Sequence, residues 1–578
     1  MRNAEIAAAL EELGTLYELD GAVRYRVLAY RDAAKTVREC PVSVEELARA
    51  GRATELPGIG ETLEQKILAL LDTGEIPAAA KLKQKFPPTL IAVTRVPGLG
   101  AKTARRLFDE LEVASLEDLK AAAEGERIRA LRGLGPKAEE NILAALERVE
   151  DVEEGAAIRM LLSDVLPVAE ELAASLREHP AAHRVEVAGS ARRRADTCKD
   201  IDLIATADDA EALAAALVEH PLISAAGSAG SAGARALTQN GVPVDLRIVE
   251  PAAFGNLLQH FTGSAAHNVQ LREDAVARGL SVSEHGITDL EAGETELCAT
   301  EEEVYERLGY SYIEPELREG NGELRAARAG DLPELVREDD IRGDLHTHTT
   351  LSDGKASLEE MADAARDRGY AYLAVTDHSA THGFGNHVTA ERLWERIEEV
   401  RVLDRKMPRF RLLAGSEVNI GLDGGLDYPD DLLDALDWVI ASVHTRFSSD
   451  SKKTTARVLE AIENPRVDCI GHLTGRLIGR REPYPIDVEA VAEAASRTGT
   501  MLEINGNPNR RDLSDRHARL AAEAGVIIVL NTDAHRTRTL RNNMAYGVAT
   551  ARRAWLTPAQ IANTRPWREF SKLRKRAS

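Results

Sequence analysis

Asp344-Leu-His346-Thr-His348 is the first of seven short apolar runs, within about the last 240 residues, that end on a metal-binding side chain. The others are Tyr372-Leu-Ala-Val-Thr-Asp377-His378, Leu412-Leu-Ala-Gly-Ser-Glu417, Trp438-Val-Ile-Ala-Ser-Val-His444, Val467-Asp-Cys-Ile-Gly-His472, Met501-Leu-Glu503-Ile-Asn505 and Val526-Ile-Ile-Val-Leu-Asn-Thr-Asp533-Ala-His535. β-Branched and aliphatic runs that release polar side chains at their carboxyl end read as buried parallel strands. Helix-like stretches such as 357–368 and 488–497 separate them. The repetition predicts a (β/α) barrel with its site on the C-terminal face.

The candidate ligands there are His346, His348, Asp353, His378, Glu417, His444, His472, Asp533 and His535. In a His-x-His pair on a strand both imidazoles point to the same side, and Asp533-Ala-His535 repeats that geometry on the last strand. Nine donors exceed the four or five that one zinc takes and suit two or three divalent ions with bridging carboxylates. A mixed imidazole and carboxylate set without cysteine fits Zn²⁺, Mn²⁺ or Fe²⁺ and does not choose among them. Such a cluster activates water and stabilises both oxygens of an in-line displacement at phosphorus. Scattered core histidines are the bland alternative, and seven successive strands of this form argue against it.

A second chemistry lies at 184–204, Arg-Val-Glu-Val-Ala-Gly189-Ser190-Ala-Arg192-Arg193-Arg194-Ala-Asp-Thr-Cys-Lys199-Asp200-Ile-Asp202-Leu-Ile. A strand runs into Gly-Ser, a basic loop follows, and a second strand carries Asp200 and Asp202 on one face. Two carboxylates that close favour a divalent cation between them. Gly189 lets the backbone approach a phosphate, and Ser190 and the arginines supply donors to it. Val242-Pro-Val-Asp245-Leu-Arg adds a third acid on a neighbouring strand. Three such acids would hold two Mg²⁺ ions for attack of a hydroxyl on a nucleotide α-phosphate.

The first 150 residues repeat one element three times. Leu56-Pro-Gly58-Ile-Gly60, Val96-Pro-Gly98-Leu-Gly100 and Leu131-Arg-Gly133-Leu-Gly135 each precede a helix-like stretch. A Gly-apolar-Gly hairpin between helices presents backbone N–H groups to a phosphate, positioning DNA without reading bases. Lys102, Arg105, Arg106, Lys81, Lys83 and Lys85 add local positive charge. The net charge of −22 is unusual for a DNA-binding chain. Metal-binding acids account for part of it, and phosphate contacts respond to charge within about 8–10 Å. A modest, salt-sensitive affinity is expected.

These motifs carry a resemblance. H-T-H, T-D-H-S, G-S-E, S-V-H, G-H and D-A-H, in that order, resemble the PHP (polymerase and histidinol phosphatase) domain over roughly residues 339 to 578, and all nine ligands carry over. G-S-x-R-R, D-x-D and V-D-L-R are similar to the nucleotidyltransferase palm of family X DNA polymerases. His260-Phe261-Thr-Gly263-Ser264, with Asn268 and Arg272, resembles that family's Y-F-T-G-S segment. The resemblance implies that Ser190 and Arg193 hold a triphosphate, that Phe261 and Gly263 line the sugar pocket, that Asn268 meets the incoming base and Arg272 the template. His260 stands where the family usually has Tyr, and Lys199 where Gly usually precedes the first catalytic Asp. The first hairpin resembles a small lyase domain, in which Lys66 aligns with the Schiff-base lysine and Arg26 falls near the 5′-phosphate pocket. Phosphate-end binding by this domain without lyase chemistry is the other reading.

The resemblance therefore implies a multidomain chain: an all-α helix-hairpin-helix N-terminal region, an α+β nucleotidyltransferase palm and a C-terminal distorted (β/α)7 PHP barrel. The expected boundaries are 1–85 (lyase-like, DNA-end binding), 86–155 (helix-hairpin-helix), 156–250 (palm), 251–320 (nascent-base-pair subdomain), 321–338 (linker) and 339–578 (barrel). The basic stretch 568–576 reads as a frayed tail or a DNA contact, the tail being the favoured expectation. The implied activity is gap-filling DNA synthesis with a 3′-5′ exonuclease in the barrel, possible further reactions being cleavage at abasic sites or removal of 3′-phosphates. Mg²⁺ or Mn²⁺ would serve the palm and two to three divalent ions the barrel. Gapped or primer-template DNA and dNTPs are the expected partners of a monomer. No 18-residue apolar run or charged-then-apolar leader occurs, and the four cysteines form no C-x-x-C pair, so a cytoplasmic protein without a membrane partner is expected. The rivals are a small-molecule phosphatase with a vestigial polymerase region and a non-catalytic DNA-end scaffold.

Overall fold

The computed structural model describes the chain except residues 41, 97, 98, 132, 141, 144, 145, 147–158, 384, 385 and 576–578. Gly98 and the acidic joint at 151–155 lie outside the described residues. Two compact units emerge: Met1–Met160, Asp164–Ala188 and Cys198–Phe254 make the first, and Leu161–Ser163, Gly189–Thr197 and Gly255–Ser578 the second.

The first unit opens on helix Asn3–Leu19, which buries Ile6, Leu10, Leu13 and Leu16 at helical spacing against helix Arg24–Glu39. At Gly14 a Cβ would stand 3.3 Å from that of Tyr30, so the missing side chain lets the helices approach. The hairpin glycines have matching roles. Gly58 and Gly133 take φ of +80° and +86°, which L side chains avoid, while Gly60 and Gly100 cap helices Glu61–Thr73 and Ala101–Leu111. The apolar residue between each described pair, Ile59 or Leu134, packs into the helical core.

The same unit holds a five-stranded sheet, β1 Ala182–Val187, β2 Ile201–Ala207, β3 Ile223–Gly230, β4 Gly233–Thr238 and β5 Pro243–Ile248. Its order is β1-β2-β5-β4-β3, and β2 and β5 are parallel neighbours.

In the second unit a small antiparallel sheet, β6 Leu280–Ser283, β7 Gly286–Asp289 and β8 Thr295–Glu296, precedes the barrel. The barrel strands are β9 Gly343–Asp344, β10 Tyr372–Val375, β11 Arg411–Asn419, β12 Trp438–Ser442, β13 Cys469–Ile470, β14 Met501–Asn505 and β15 Ile528–Asn531. They pair in parallel in chain order, and a bridge between Thr347 and Ala534 brings the two edges together. Seven strands, nearly closed, match the expected (β/α)7 architecture. Leu345, Tyr372, Leu413, Trp438, Met501 and Val529 fill the interior.

Residues 321–338, expected as a linker, carry folded structure: helix Glu323–Ala329 buries Leu324 and Ala327, and Leu335 and Val336 are buried too. Apolar residues at i and i+3 outweigh the local glycines and acids. The basic C-terminus is not frayed over its described length. Helix Trp567–Phe570 places a fully buried Phe570 against Tyr372, rings stacked 4.9 Å apart.

Candidate metal centre and nucleotidyl site

Every candidate ligand of the barrel except Asp353, which lies on the loop after β9, is at or near the carboxyl end of a strand, and five histidines converge on Glu417. Its carboxylate is fully buried on β11 and meets five imidazoles. His472 Nε2 and His444 Nε2 stand 2.8 and 3.0 Å from Oε1, and His378 Nδ1, His346 Nε2 and His348 Nε2 stand 2.8, 3.2 and 3.6 Å from Oε2. Asp533 faces His348 at 3.2 Å, and Asp353 faces His535 at 3.1 Å and His378 at 3.7 Å. His472 and Asp533 hold φ of +27° and +51°, strain that the surrounding barrel imposes at two ligand positions.

The donor set fits divalent cations. His346 Nε2, both ring nitrogens of His348 and Glu417 Oε2 are buried without a hydrogen bond, facing one another. Buried polar atoms are ordinarily hydrogen-bonded, so a converging group of unsatisfied donors and acceptors is a place for ions. Three overlapping groups have ligand atoms within 4.8 Å of one another: His348, Asp353, His378 and His535; His346, His348 and Asp533; and His378, Glu417 and His444.

Electrostatics follow from burial and this crowding. Burial disfavours the His346 imidazolium, yet Glu503, Glu417 and Asp533 together raise its pKa well above the ordinary value. For His348 burial is joined by His535 and His378 and the pKa falls to about 4. Burial opposes ionisation of Glu417 and Asp533, but the imidazoles prevail and hold both carboxyls well below the usual range. The site is therefore an anionic cup in which His348 and His444 are held neutral, while the surrounding carboxylates favour the protonated His346 and His535.

A supporting ring was not assigned from sequence. Glu503 accepts from His346 Nδ1 at 2.7 Å and from the His472 amide at 2.8 Å, orienting two ligands. Asp377 accepts from Thr349 and Ser352. His382 is fully buried and stacks on His378 with centroids 4.6 Å apart. Glu503 was legible as a polar residue ending an apolar run; His382 follows no strand and left no such signal.

The palm acids lie in the first unit. Asp202 and Asp245 are paired in register across β2 and β5, and Asp200 precedes β2 on the alternation that keeps Ile201 and Leu203 buried. Asp245 stands 3.0 Å from Arg247 and 3.6 Å from Arg235. The other nucleotide-site candidates lie in the second unit. Gly189 (φ +64°) and Ser190 open the short helix Gly189–Arg192, and Gly263 has φ +68°. Arg193 is not open to solvent: it pairs with Glu319 at 3.0 Å and donates to the Thr262 carbonyl. Asn268 donates to the His260 carbonyl at 2.7 Å, and Arg272 meets His260 Nδ1 at 3.2 Å. Phe261 is half-buried, 5.4 Å from the His260 ring. Lys199 is exposed. In the hairpin region Lys102 is exposed, Lys66 is half-exposed on helix Glu61–Thr73, and exposed Arg26 lies over the Tyr17 ring.

Comparison with known proteins accounts for the whole chain. Residues 1–76 match the helix-hairpin-helix domain, 90–148 the SAM-like helix-hairpin-helix tandem, 257–319 the DNA polymerase beta thumb and 344–507 the PHP domain. The DNA polymerase/3′-5′ exonuclease PolX of Bacillus subtilis (strain 168) is 36% identical over 578 residues, covering 100% of each chain. This chain belongs to the family X DNA polymerases that carry a PHP domain. Family X membership gives the hairpins, the β1–β5 sheet and the barrel one common setting. A probable phosphatase of Thermoanaerobacter sp. (strain X514) is 37% identical over 204 residues, 33% of this chain and 78% of that one. Another, from Syntrophotalea carbinolica (strain DSM 2380 / NBRC 103641 / GraBd1), is 32% identical over 231 residues. Those similarities cover about a third of this family X chain and leave most of it outside. Among the described residues, no helix is long and apolar enough to cross a membrane.

Proposed function

We propose that this chain extends DNA 3′ ends in the palm and shortens them in the barrel, a gap-filling repair polymerase with a 3′-5′ exonuclease. The supporting observation is the alignment of the entire chain with a polymerase/exonuclease, joined to a barrel in which His346 Nε2, both ring nitrogens of His348 and Glu417 Oε2 are buried without a hydrogen bond. In the palm, Asp200, Asp202 and Asp245 would hold Mg²⁺ or Mn²⁺. Gly189, Ser190 and Arg193 would receive the triphosphate of a dNTP, Arg193 exchanging Glu319 for phosphate. The primer 3′ oxygen joins the α-phosphorus, the bond to pyrophosphate breaks, and the hydroxyl proton leaves. Phe261 and Gly263 are read as the sugar pocket, Asn268 and Arg272 as contacts to base and template.

In the barrel the nine ligands would hold two to three Mn²⁺, Zn²⁺ or Fe²⁺ ions, which supply an activated water and neutralise phosphate charge. The residues present that centre as a cup: Glu417 gathers the imidazoles and Glu503 fixes two of them. Water oxygen joins the terminal phosphorus, the bond to the preceding 3′ oxygen breaks and that oxygen takes a proton, releasing a nucleoside 5′-monophosphate. Gly58, Gly60, Gly98, Gly100, Gly133, Gly135, Lys102 and Arg26 are read as the backbone grip on gapped or primer-template DNA, and Lys66 as part of its 5′-end pocket. The chain is read as a monomer.

A single-nucleotide-gap extension gel tests the division. Replacing Asp200 and Asp202 with Ala should abolish nucleotide addition and spare strand shortening, and replacing His346 and His348 should do the reverse. Loss of both activities in both folded variants would refute two separate sites. Rapid hydrolysis of a small phosphomonoester with no action on DNA would favour the phosphatase reading instead.

A further inference from the structure

The C-terminal face of the barrel carries an aromatic stack that the hydrolytic chemistry does not use. Tyr484 donates its hydroxyl to the Leu473 carbonyl and lies over Gly475, where a Cβ would come within 2.5 Å of the ring. Phe447 stacks on Tyr484 with centroids 5.7 Å apart and planes at 27°. The Arg481 guanidinium sits 4.7 Å from the Phe447 ring centre. Between these partners Phe447 still keeps 43% of its surface exposed. A scattered apolar side chain on a surface needs no explanation, but one held by a half-buried tyrosine and an arginine is built into place.

Position ties the stack to the metal centre. Phe447 follows the ligand His444 by three residues, and Arg481 and Tyr484 lie on the segment after the ligand His472. Those ligands end the adjacent parallel strands β12 and β13. Arg510 completes the link: its Nε is 3.7 Å from Asp533 Oδ2. Its segment is joined to that of Arg481 by the Ile478 amide, which donates to the Asn509 carbonyl at 2.7 Å. Burial, and then the like charge of Arg510, hold the Arg481 pKa below its usual value. Two neighbouring guanidiniums beside a metal centre favour an anion, and an exposed ring next to them favours a flat π-surface. A nucleotide offers both groups one sugar apart.

We propose that Phe447, carried on Tyr484 and flanked by Arg481, is the seat on which the base of the 3′-terminal nucleotide stacks while Arg510 faces its phosphate. The proposal rests on the exonuclease reading above. Stacking tolerates any base, because every base has a π-face, and this suits removal of whichever nucleotide ends the strand.

The test compares two single-stranded oligonucleotides that differ only at the 3′ end, one closing on thymidine and one on an abasic tetrahydrofuran residue. With Mn²⁺ present, the wild-type protein is expected to prefer the base-bearing end by about 10- to 100-fold in kcat/KM, the range that stacking one base on an aromatic ring provides. Phe447→Ala should bring that ratio close to one, and Phe447→Trp should retain it. Thermal unfolding and bound-metal content establish that the variants keep their fold. A wild-type ratio near one, or a ratio unchanged by Phe447→Ala, overturns the seat while leaving the exonuclease intact. Failure of the wild-type protein to shorten either strand instead removes the exonuclease reading, and the seat with it.

Discussion

Glu417 of the barrel is fully buried with five imidazoles within 3.6 Å, whereas Asp202 and Asp245 of the palm are half-buried on adjacent strands and Asp245 is held by two arginines. Among the described residues, the groups whose ligand atoms close to within 4.8 Å of one another are all in the barrel. The contrast follows from the scaffolds. Seven parallel strands aim their ends at one axis, so the barrel ligands converge before any ion arrives. Two strands of an open sheet bring carboxylates together along one line only, and the palm's arginines offset their charge meanwhile. The barrel's donors are already gathered, while on the proposed reading the palm acids would close only around a metal-bearing triphosphate.

The largest effect expected from this contrast is at the hub. Glu417→Gln should lower strand shortening by about 10³-fold or more, since a metal centre supplies several kcal/mol of transition-state stabilisation. Primer extension by the same variant should stay near wild type, and equal loss of both would break the comparison.

Next comes Glu301, which is buried between Arg192 and Arg318 at 2.6 and 2.5 Å and anchors the helix that bears Gly189 and Ser190. Burial opposes its ionisation, but Arg318 and Arg192 prevail and bring its pKa down to about 2. Its folded-state pKa lies below the unfolded value, so its stabilisation is fully present above about pH 4.5 and is lost as pH falls toward 2. Glu301→Gln leaves the buried Arg318 and the half-buried Arg192 uncompensated and should cost about 3–5 kcal/mol near neutral pH. Denaturant titrations should show the gap between variant and wild type shrinking across that acidic window; a constant gap would contradict the assignment.

A smaller effect concerns metal alone. Mn²⁺ at about 100 times its dissociation constant should stabilise the barrel by about 2.7 kcal/mol without DNA or nucleotide, read by hydrogen exchange on β9–β15. The palm strands should gain protection only when a dNTP is added. Equal protection of both sheets by metal alone would erase the distinction between prepared and awaiting sites. Smallest is Glu503→Gln, which keeps all nine ligands and loosens the hold on His346 and His472. It should weaken Mn²⁺ affinity or strand shortening by about 10- to 100-fold.

The candidate ligands could be named from sequence, and the structure brings them together, because a strand's fate is local. Apolar runs ending on His, Asp or Glu announce both the barrel and its functional face, and alternation alone places Asp200 and Asp202 together. Gly58 and Gly133 likewise showed their turns through the residue type that a positive φ demands. Leu324 and Ala327 were less legible. Their helical spacing is weak within a Gly-rich acidic stretch, and only the presence of a core to pack against makes that stretch fold.

By itself the sequence determined which residues are candidates to hold metal, which strand ends carry them and which family the motifs resemble, all consequences of short-range periodicity and residue chemistry. Only the tertiary structure decided that Glu417 is the shared carboxylate, that Glu503 steadies two ligands and that Arg193 is occupied by Glu319. Those partnerships join residues 27 to 157 positions apart. No local pattern encodes such pairs; they exist because folding closes a sheet and buries charged groups that must then find one another.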